Sequence, residues 1–407
     1  MRLTWLANAP WTNYGYGVQT GLFGTRLTTA GHPVGVISNF GHQGAPINWL
    51  NLQVFGNSFH PYCMDIMHMH SQTFQADAML TLLDLQVMEP EALQGTKWIA
   101  WFPVDHVTIP SFILEKVKQA DFRITMSQHA SQEMDKTGLD YYYIPCGVDT
   151  KIYKPLPMFE SREAMQFPTD KFIVGMVAMN KGNPSRKAFH QNIMAFAALQ
   201  KKRKDCVLYL HTADGTRGPD MVNLVEYCKA LGLKHGYAFH DDTKGADVIF
   251  ADQYGLTMGY DPAMMAQLYS AMDVHLLVTC GEGFGIPLIE AQACGTPVIT
   301  GSWTSMPELC FSGWKVPVEG TEPYFTPLMA FQMLPRISAI SEKLDAAYLM
   351  RGNQDYRKRA EKGAQAYDAD RIVEKYWLPT LADIESKLQS IPVGTLARNL
   401  DLLRIAA

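Results

Sequence analysis

The segment from Gly281 to Thr300 concentrates residues able to do chemistry: Gly-Glu-Gly-Phe-Gly-Ile-Pro-Leu-Ile-Glu-Ala-Gln-Ala-Cys-Gly-Thr-Pro-Val-Ile-Thr. The apolar run ending near Thr279 predicts a strand, the glycines a tight turn, and Ile286-Pro287 the start of a helix. Proline fits a first helical turn because its missing N–H costs nothing there. The free N–H groups of such a turn, together with the helix dipole, make an anion site. Glu282 lies in the turn and Glu290 stands eight residues further on. Two carboxylates near an anion site can accept hydrogen bonds from hydroxyls on either side of a phosphate, which suits a sugar at one end and a ribose at the other. A single glutamate at a helix start is ordinarily a cap, so the inference rests on the linked string. His68-Met-His70 has metal-like spacing, but no carboxylate or cysteine set completes it. Neither Asp368-Ala-Asp370 nor Asp241-Asp242 follows a strand at a cleft, so no metal site is expected.

These groups need a scaffold that gathers them. Leu3–Ala7 predicts a buried strand, Pro10–Gly17 a glycine- and aromatic-rich loop, Val18–Ala30 an amphipathic helix stopped by Gly31, and Val34–Ser38 the next strand. That order is the βαβ unit of a parallel sheet. It continues with strands predicted at 78–83, 97–102 and 122–126. Lys151–Phe167 is irregular and contains prolines, as a linker would. A second series opens at Phe172–Ala178, with a helix over 188–200 and strands at 206–210, 273–278 and 297–300. Helical patterns fill 338–349, 356–367 and 372–388. The expected fold class is α/β, with two Rossmann-like doubly wound domains facing a central cleft. Residues 1–155 form the first domain and 156–370 the second, and 371–407 form a C-terminal helical segment packing back toward the first. In such sheets ligands bind at the carboxyl ends of the strands.

Glu282 and Glu290 resemble the Glu-x7-Glu signature of retaining nucleotide-sugar glycosyltransferases of the GT-B fold, family 4 in particular. Leu268–Val274 resembles that family's approach strand, Gly295–Ile299 and Met306-Pro-Glu308 its later positions, and Ile144–Pro155 its hinge signature. The resemblance spans nearly the whole chain. It implies a nucleoside diphosphate sugar, UDP- or GDP-linked, as co-substrate, with no tightly bound cofactor. It also implies catalytic roles for Glu282 and, at the end of Trp101-Phe-Pro-Val-Asp-His, for Asp105 and His106. Glu282 would hold hydroxyls of the transferred sugar and Glu290 the ribose. The family places a basic residue after the first strand of the second domain and a lysine six residues on. Lys181 and Lys187 stand at that spacing. The first position is usually arginine, so Lys181 departs from the pattern and Arg186 is a candidate to supply the guanidinium. Backbone N–H groups of Gly283, Phe284, Gly285 and Ile286 complete the implied donor site, with Gly15 and Gly17 approaching from the other domain. Ser127 sits where the family often has serine, and equally suits a helix cap. The loop Trp11–Gly17 and the shortness of the chain resemble phage-encoded members.

Composition narrows the partners. The 407 residues carry 35 Lys plus Arg against 40 Asp plus Glu, a net −5, and only 18% are charged. That excludes a strongly basic, backbone-gripping nucleic-acid binder and a disordered chain. Lys201–Lys204 is a short basic run at a predicted helix end, where cations suit the dipole. Seven cysteines with no Cys-x-x-Cys pair, no leader pattern and no apolar run of membrane length suggest free thiols and a cytoplasmic protein. Residues 1–64 hold two charges, Arg2 and Arg26, but many aromatics, among them Trp11, Tyr14 and Tyr16. They are candidate acceptor-binding residues, suited to stacking on sugar or base rings. A saccharide, a protein or a hydroxylated DNA base all remain open as acceptor. The alternatives are a sugar-nucleotide epimerase or hydrolase, which would form product without acceptor, and a non-catalytic sugar-nucleotide binding module.

Overall fold

Runs such as Ala78–Leu82, apolar but for Thr81, and Trp98–Phe102 are buried at every position, as parallel strands covered on both faces require. The computed structural model describes residues 1–218 and 220–389. In the first domain the strands are β1 (Leu3–Asn8), β2 (Val34–Phe40), β3 (Ile47–Trp49), β4 (Leu52–Phe55), β5 (Ala78–Leu82), β6 (Trp98–Phe102), β7 (Phe122–Thr125) and β8 (Tyr142–Tyr143). They form one sheet in the order β3-β4-β2-β1-β5-β6-β7-β8, parallel except where β3 meets β4. The second domain contributes β9 (Phe172–Val177), β10 (Cys206–His211), β11 (His235–Tyr237), β12 (Val248–Phe250), β13 (Val274–Leu277), β14 (Val298–Gly301) and β15 (Gly313–Val316). These make a seven-stranded sheet ordered β11-β12-β10-β9-β13-β14-β15. Both are doubly wound, with the strand order reversing beside β1 and β9, so the architecture is the expected pair of α/β domains.

The two crossings between domains run side by side. Val148 bridges Asp368 in parallel, and Thr150 Oγ1 donates to Asp368 Oδ2 at 2.5 Å. Arg26 pairs with Asp149 at 2.8 Å and with Asp370 at 2.6 Å, tying both crossings to the first helix. After the second crossing, helical turns from Ala369 to Gln389 lie on the first domain. The fully buried Trp377 packs against Trp5, Phe23 and Trp101, with ring centroids 5.7, 5.8 and 5.1 Å away. Of the expected C-terminal segment, 390–407 lies outside the described residues.

Three local expectations change. The first helix runs over Gly15–Thr29, so Gly15 and Gly17 lie in its first turn rather than in a loop. Within 151–167, Met158–Ala164 is helical, held because buried Arg162 reaches the carbonyls of Ala271, Thr169 and Lys171 and the Asp273 carboxylate. Between the second sheet and the helix Ile337–Leu349 stands an unexpected antiparallel hairpin, β16 (Thr321–Phe325) and β17 (Phe331–Pro335).

Candidate active site

The loops leaving β6 and β13 meet at the carboxyl edges of the two sheets. A Cβ on Gly281 would lie 2.0 Å from the Asp105 carbonyl oxygen, and one on Gly283 would lie 2.3 Å from Pro103 Cβ. Only glycine lets the first-domain segment come this close. Glu282, between them, is 5% exposed. Its backbone N–H donates to Thr304 Oγ1 at 3.1 Å, and Ser305 Oγ lies 2.8 Å from its carbonyl oxygen and 2.6 Å from that of Phe284, its one proton shared between them. The turn is thus clamped from the loop after β14. It feeds the helix Ile286–Ala293 through Gly285, whose φ is +111°. The N–H groups of Gly283, Phe284 and Gly285 have no acceptor among the described residues.

The loop after β9 supplies the cations. Lys187 Nζ donates to Glu282 Oε1 at 2.6 Å, and Arg186 Nη1 lies 3.5 Å from Oε2. The same Nη1 donates to the Gly281 carbonyl, and Nε sits 3.4 Å from Asp105 Oδ2. Arg186 therefore touches both domains. Lys181 is exposed and makes no ion pair among the described residues. Burial would raise the Glu282 carboxyl, but Lys187 and Arg186 hold it below the usual carboxylate range. Burial lowers the Lys187 ammonium despite the attraction of Glu282.

From the first domain, Asp105 Oδ1 lies 2.7 Å from His106 Nδ1. His106, 2% exposed, places Nε2 3.0 Å from Thr326 Oγ1 in the hairpin turn. Gln332 Nε2 donates to the Asp105 carbonyl, and Val107 N–H donates to Phe331 O at 2.8 Å. The hairpin of the second domain thus braces the Asp105–His106 pair of the first. Burial would raise Asp105, but the His106 hydrogen bond and Arg186 hold it low. Tyr16 Oη donates to Asp84 Oδ1 at 2.5 Å. Asp84, two residues past β5, senses Asp105, Arg186 and Lys181 electrostatically, so it belongs to the same cluster.

The structure therefore gathers Glu282, Lys187, Arg186, Asp105, His106 and Tyr16, and sets Gly15 against Ile286, 3.2 Å from where a Cβ would sit. The other candidates have neighbours outside this cluster. Gly17 faces Ala9 and Thr12 within its own domain. Glu290 is buried, with Oε2 accepting from Tyr269 at 2.8 Å and Tyr153 also bound, and burial pushes its carboxyl up to about 7. Trp11 packs on His42 and Trp49, and Tyr14 on Phe40. Ser127 caps the helix Gln128–Asp135, and Glu308 accepts from the first N–H of that helix at 2.7 Å. His68 is held by Ala92 and Thr96, and His70 by Gly56. Asp84, Thr304 and Thr326 belong to the site although no sequence motif marks them. Asp84 stands at a strand end, the position where ligands bind in such sheets, and that is its one available signal.

Residues 172–322 match a family model described as Glycosyl transferases group 1. Among curated relatives, a D-inositol 3-phosphate glycosyltransferase of Saccharomonospora viridis is 24% identical over 52% of this chain and 45% of its own. An uncharacterized glycosyltransferase of Sulfolobus islandicus rod-shaped virus 1 is 23% identical over 44% and 52%. The chain spans about half, or less, of the length of the curated relatives it matches. Among solved structures, a sucrose-phosphate synthase from Thermosynechococcus elongatus matches with TM-score 0.67 and 16% identity, covering 99% of this chain and all of that one. Anabaena HepE, solved with UDP and glucose, matches with TM-score 0.61 and 16% identity over 96% and 100%. No described helix is long and apolar enough to cross a membrane. Two facing parallel α/β sheets with these structural neighbours give the chain the GT-B fold, and residues 172–322 carry its match to group 1 glycosyltransferases.

Proposed function

We propose that the protein is a retaining glycosyltransferase of the family 4 type, moving a sugar from a UDP- or GDP-sugar to a hydroxyl acceptor. One observation carries the reading. Lys187 and Arg186 converge with Glu282 at a helix N-terminus whose leading N–H groups lack acceptors, directly across from first-domain side chains. A diphosphate there would be held by Lys187, Arg186 and Lys181 and by the N–H groups of Gly283 to Ile286, which stabilise charge as the nucleotide departs. In this reading Glu282 orients hydroxyls of the transferred sugar. The C–O bond to phosphate breaks and the bond to the acceptor oxygen forms on the same face. The acceptor proton passes to the leaving phosphate oxygen, so catalysis is mainly positioning and charge stabilisation. The UDP and glucose bound to Anabaena HepE support a nucleotide-sugar donor.

The test is incubation with a panel of UDP- and GDP-sugars, with and without acceptors, following nucleoside diphosphate release and the anomeric configuration of the product by NMR. Acceptor-dependent release with retained configuration is expected. Inverted product, or no nucleotide sugar bound or consumed, would overturn the proposal. Rapid release without acceptor would point to a hydrolase instead.

A further inference from the structure

The acceptor side of the cleft has its own chemistry, and its assignment rests on the sugar-transfer reading of the site. Along the carboxyl edge of the first sheet, from β2 to β6, stand Phe40, Tyr14, Tyr16, Asp84 and Asp105. Tyr14 and Phe40 are 42% and 49% exposed, with ring centroids 5.4 Å apart. Asp84 uses Oδ1 for Tyr16, and Oδ2 has no partner among the described residues. None of the nine Lys and Arg residues among 1–155 serves this edge. Arg26 is held by Asp149 and Asp370, and the Lys116 ammonium by the carbonyls of Gln86 and Met88. Arg2, Lys97 and Arg123 stand at the amino ends of β1, β6 and β7, bound to Phe74, Asp121 and the carbonyls of Val117 and Lys118. Lys118 and Lys136 pair with Glu115 and Glu133 of their own helices, while Lys151 and Lys154 lie in the crossing to the second domain.

We propose that the acceptor is an uncharged saccharide end: its hydroxyls donate to Asp84 beside Tyr16, its ring lies on Tyr14 and Phe40, and the same edge rejects acceptors bearing phosphate or carboxylate beside the reacting hydroxyl. An ionised carboxylate only accepts, so it selects hydroxyl donors. Aromatic rings offer a sugar an apolar face without charge. A phosphate placed there would face Asp84 and Asp105 with no first-domain cation to answer it, and the second-domain cations nearby, Arg186 and Lys181, are those assigned to the donor diphosphate, so the edge discriminates by repulsion.

The test uses the donor that the wild type binds, with methyl glucoside, methyl mannoside, methyl galactoside and maltose as neutral probes. Glucose 6-phosphate, mannose 6-phosphate and galacturonate are the anionic ones. Nucleoside diphosphate release is measured for each. Saturation-transfer NMR with UDP or GDP present gives a readout independent of turnover. At least one neutral saccharide should bind and raise release above the donor-only rate, and no anionic probe should. Asp84→Asn should raise the KM of that saccharide about tenfold or more with donor KM unchanged, and Asp84→Arg should admit the phosphorylated sugars. An anionic probe favoured by the wild type, neither class bound, or an unchanged acceptor KM in Asp84→Asn would overturn the proposal. Failure of the transfer reading would be separately visible, as absence of UDP and GDP binding in calorimetry.

Discussion

Glu282→Gln should separate nucleotide binding from sugar transfer. In the structure Lys187 and Arg186 already hold a carboxylate, at 2.6 and 3.5 Å, where a diphosphate would need them. A charge-assisted hydrogen bond contributes about 1.5–3 kcal/mol. The Lys187 and Arg186 side chains are 17% and 37% exposed, and solvent screening brings the competing attraction nearer to about 1 kcal/mol. Removing that competition should therefore tighten UDP or GDP binding about fivefold. Transfer should nonetheless fall about 100- to 1,000-fold, because the sugar hydroxyls lose a charged acceptor that no solvent replaces. Lys187→Met should lose both binding and transfer. Calorimetry with the free nucleoside diphosphates and initial rates with the nucleotide sugar make the comparison. Circular dichroism confirms that the folds are intact. The site assignment is refuted if Glu282→Gln weakens nucleotide binding as much as Lys187→Met, or if it transfers sugar at the wild-type rate. The pH dependence has a fixed sign. The Glu282 carboxyl is depressed below its usual 4.5, so its contribution to stability is present above that value and disappears as pH falls through the folded value. The Tm gap between wild type and Glu282→Gln should close in acid.

Thr326→Val removes the hydroxyl facing His106 while keeping side-chain volume; kcat should drop about tenfold with stability changed by about 1 kcal/mol. Thr326→Ser, which keeps the hydroxyl facing His106 and its bonds to Ala330 and Leu328 within the turn, should restore kcat. Glu290, pushed up to about 7 by burial, costs stability as pH rises from 4.5 through 7. Thermal melts should show Glu290→Gln gaining on the wild type at pH 8 and not at pH 5, and an equal gain at both would count against that burial. Trp377→Ala empties a fully buried site among Trp5, Phe23 and Trp101. It should cost about 3–5 kcal/mol and expose 369–389 to limited proteolysis, whereas Trp377→Phe should be milder.

Much of the scaffold is legible in the sequence because parallel strands must be apolar on both faces. β5, β6 and β13 stand out as largely apolar runs between helical patterns, interrupted only by Thr81 and His275. The turn 281–285 is legible for the same reason, since its glycines and Glu282 are contiguous. The hairpin 321–335 is not. Its faces expose Tyr324, Phe325 and Phe331, and Pro323, Pro327 and Pro335 break any strand pattern. Its partners, Asp105 to Val107, lie some two hundred residues away. Asp84 stayed hidden because its neighbours are leucines and the tyrosine that marks it is 68 residues earlier. The first helix begins at Gly15 against glycine's own preference, since tertiary contacts hold it: a Cβ on Gly21 would meet the Pro10 carbonyl oxygen and one on Gly24 the Leu52 side chain.

The paired crossings have a mechanical consequence. Two independent linkers would let the domains slide, tilt and twist against each other. Here Val148 and Asp368 are laced together, and Arg26 rivets both crossings to one helix. Linkers fastened in this way act as one joint rather than two. The close approach of 103–105 to the glycines of 281–283 is then backed by a second fixed point away from the mouth. Registry across the mouth is thus inherited from a joint made elsewhere in the molecule.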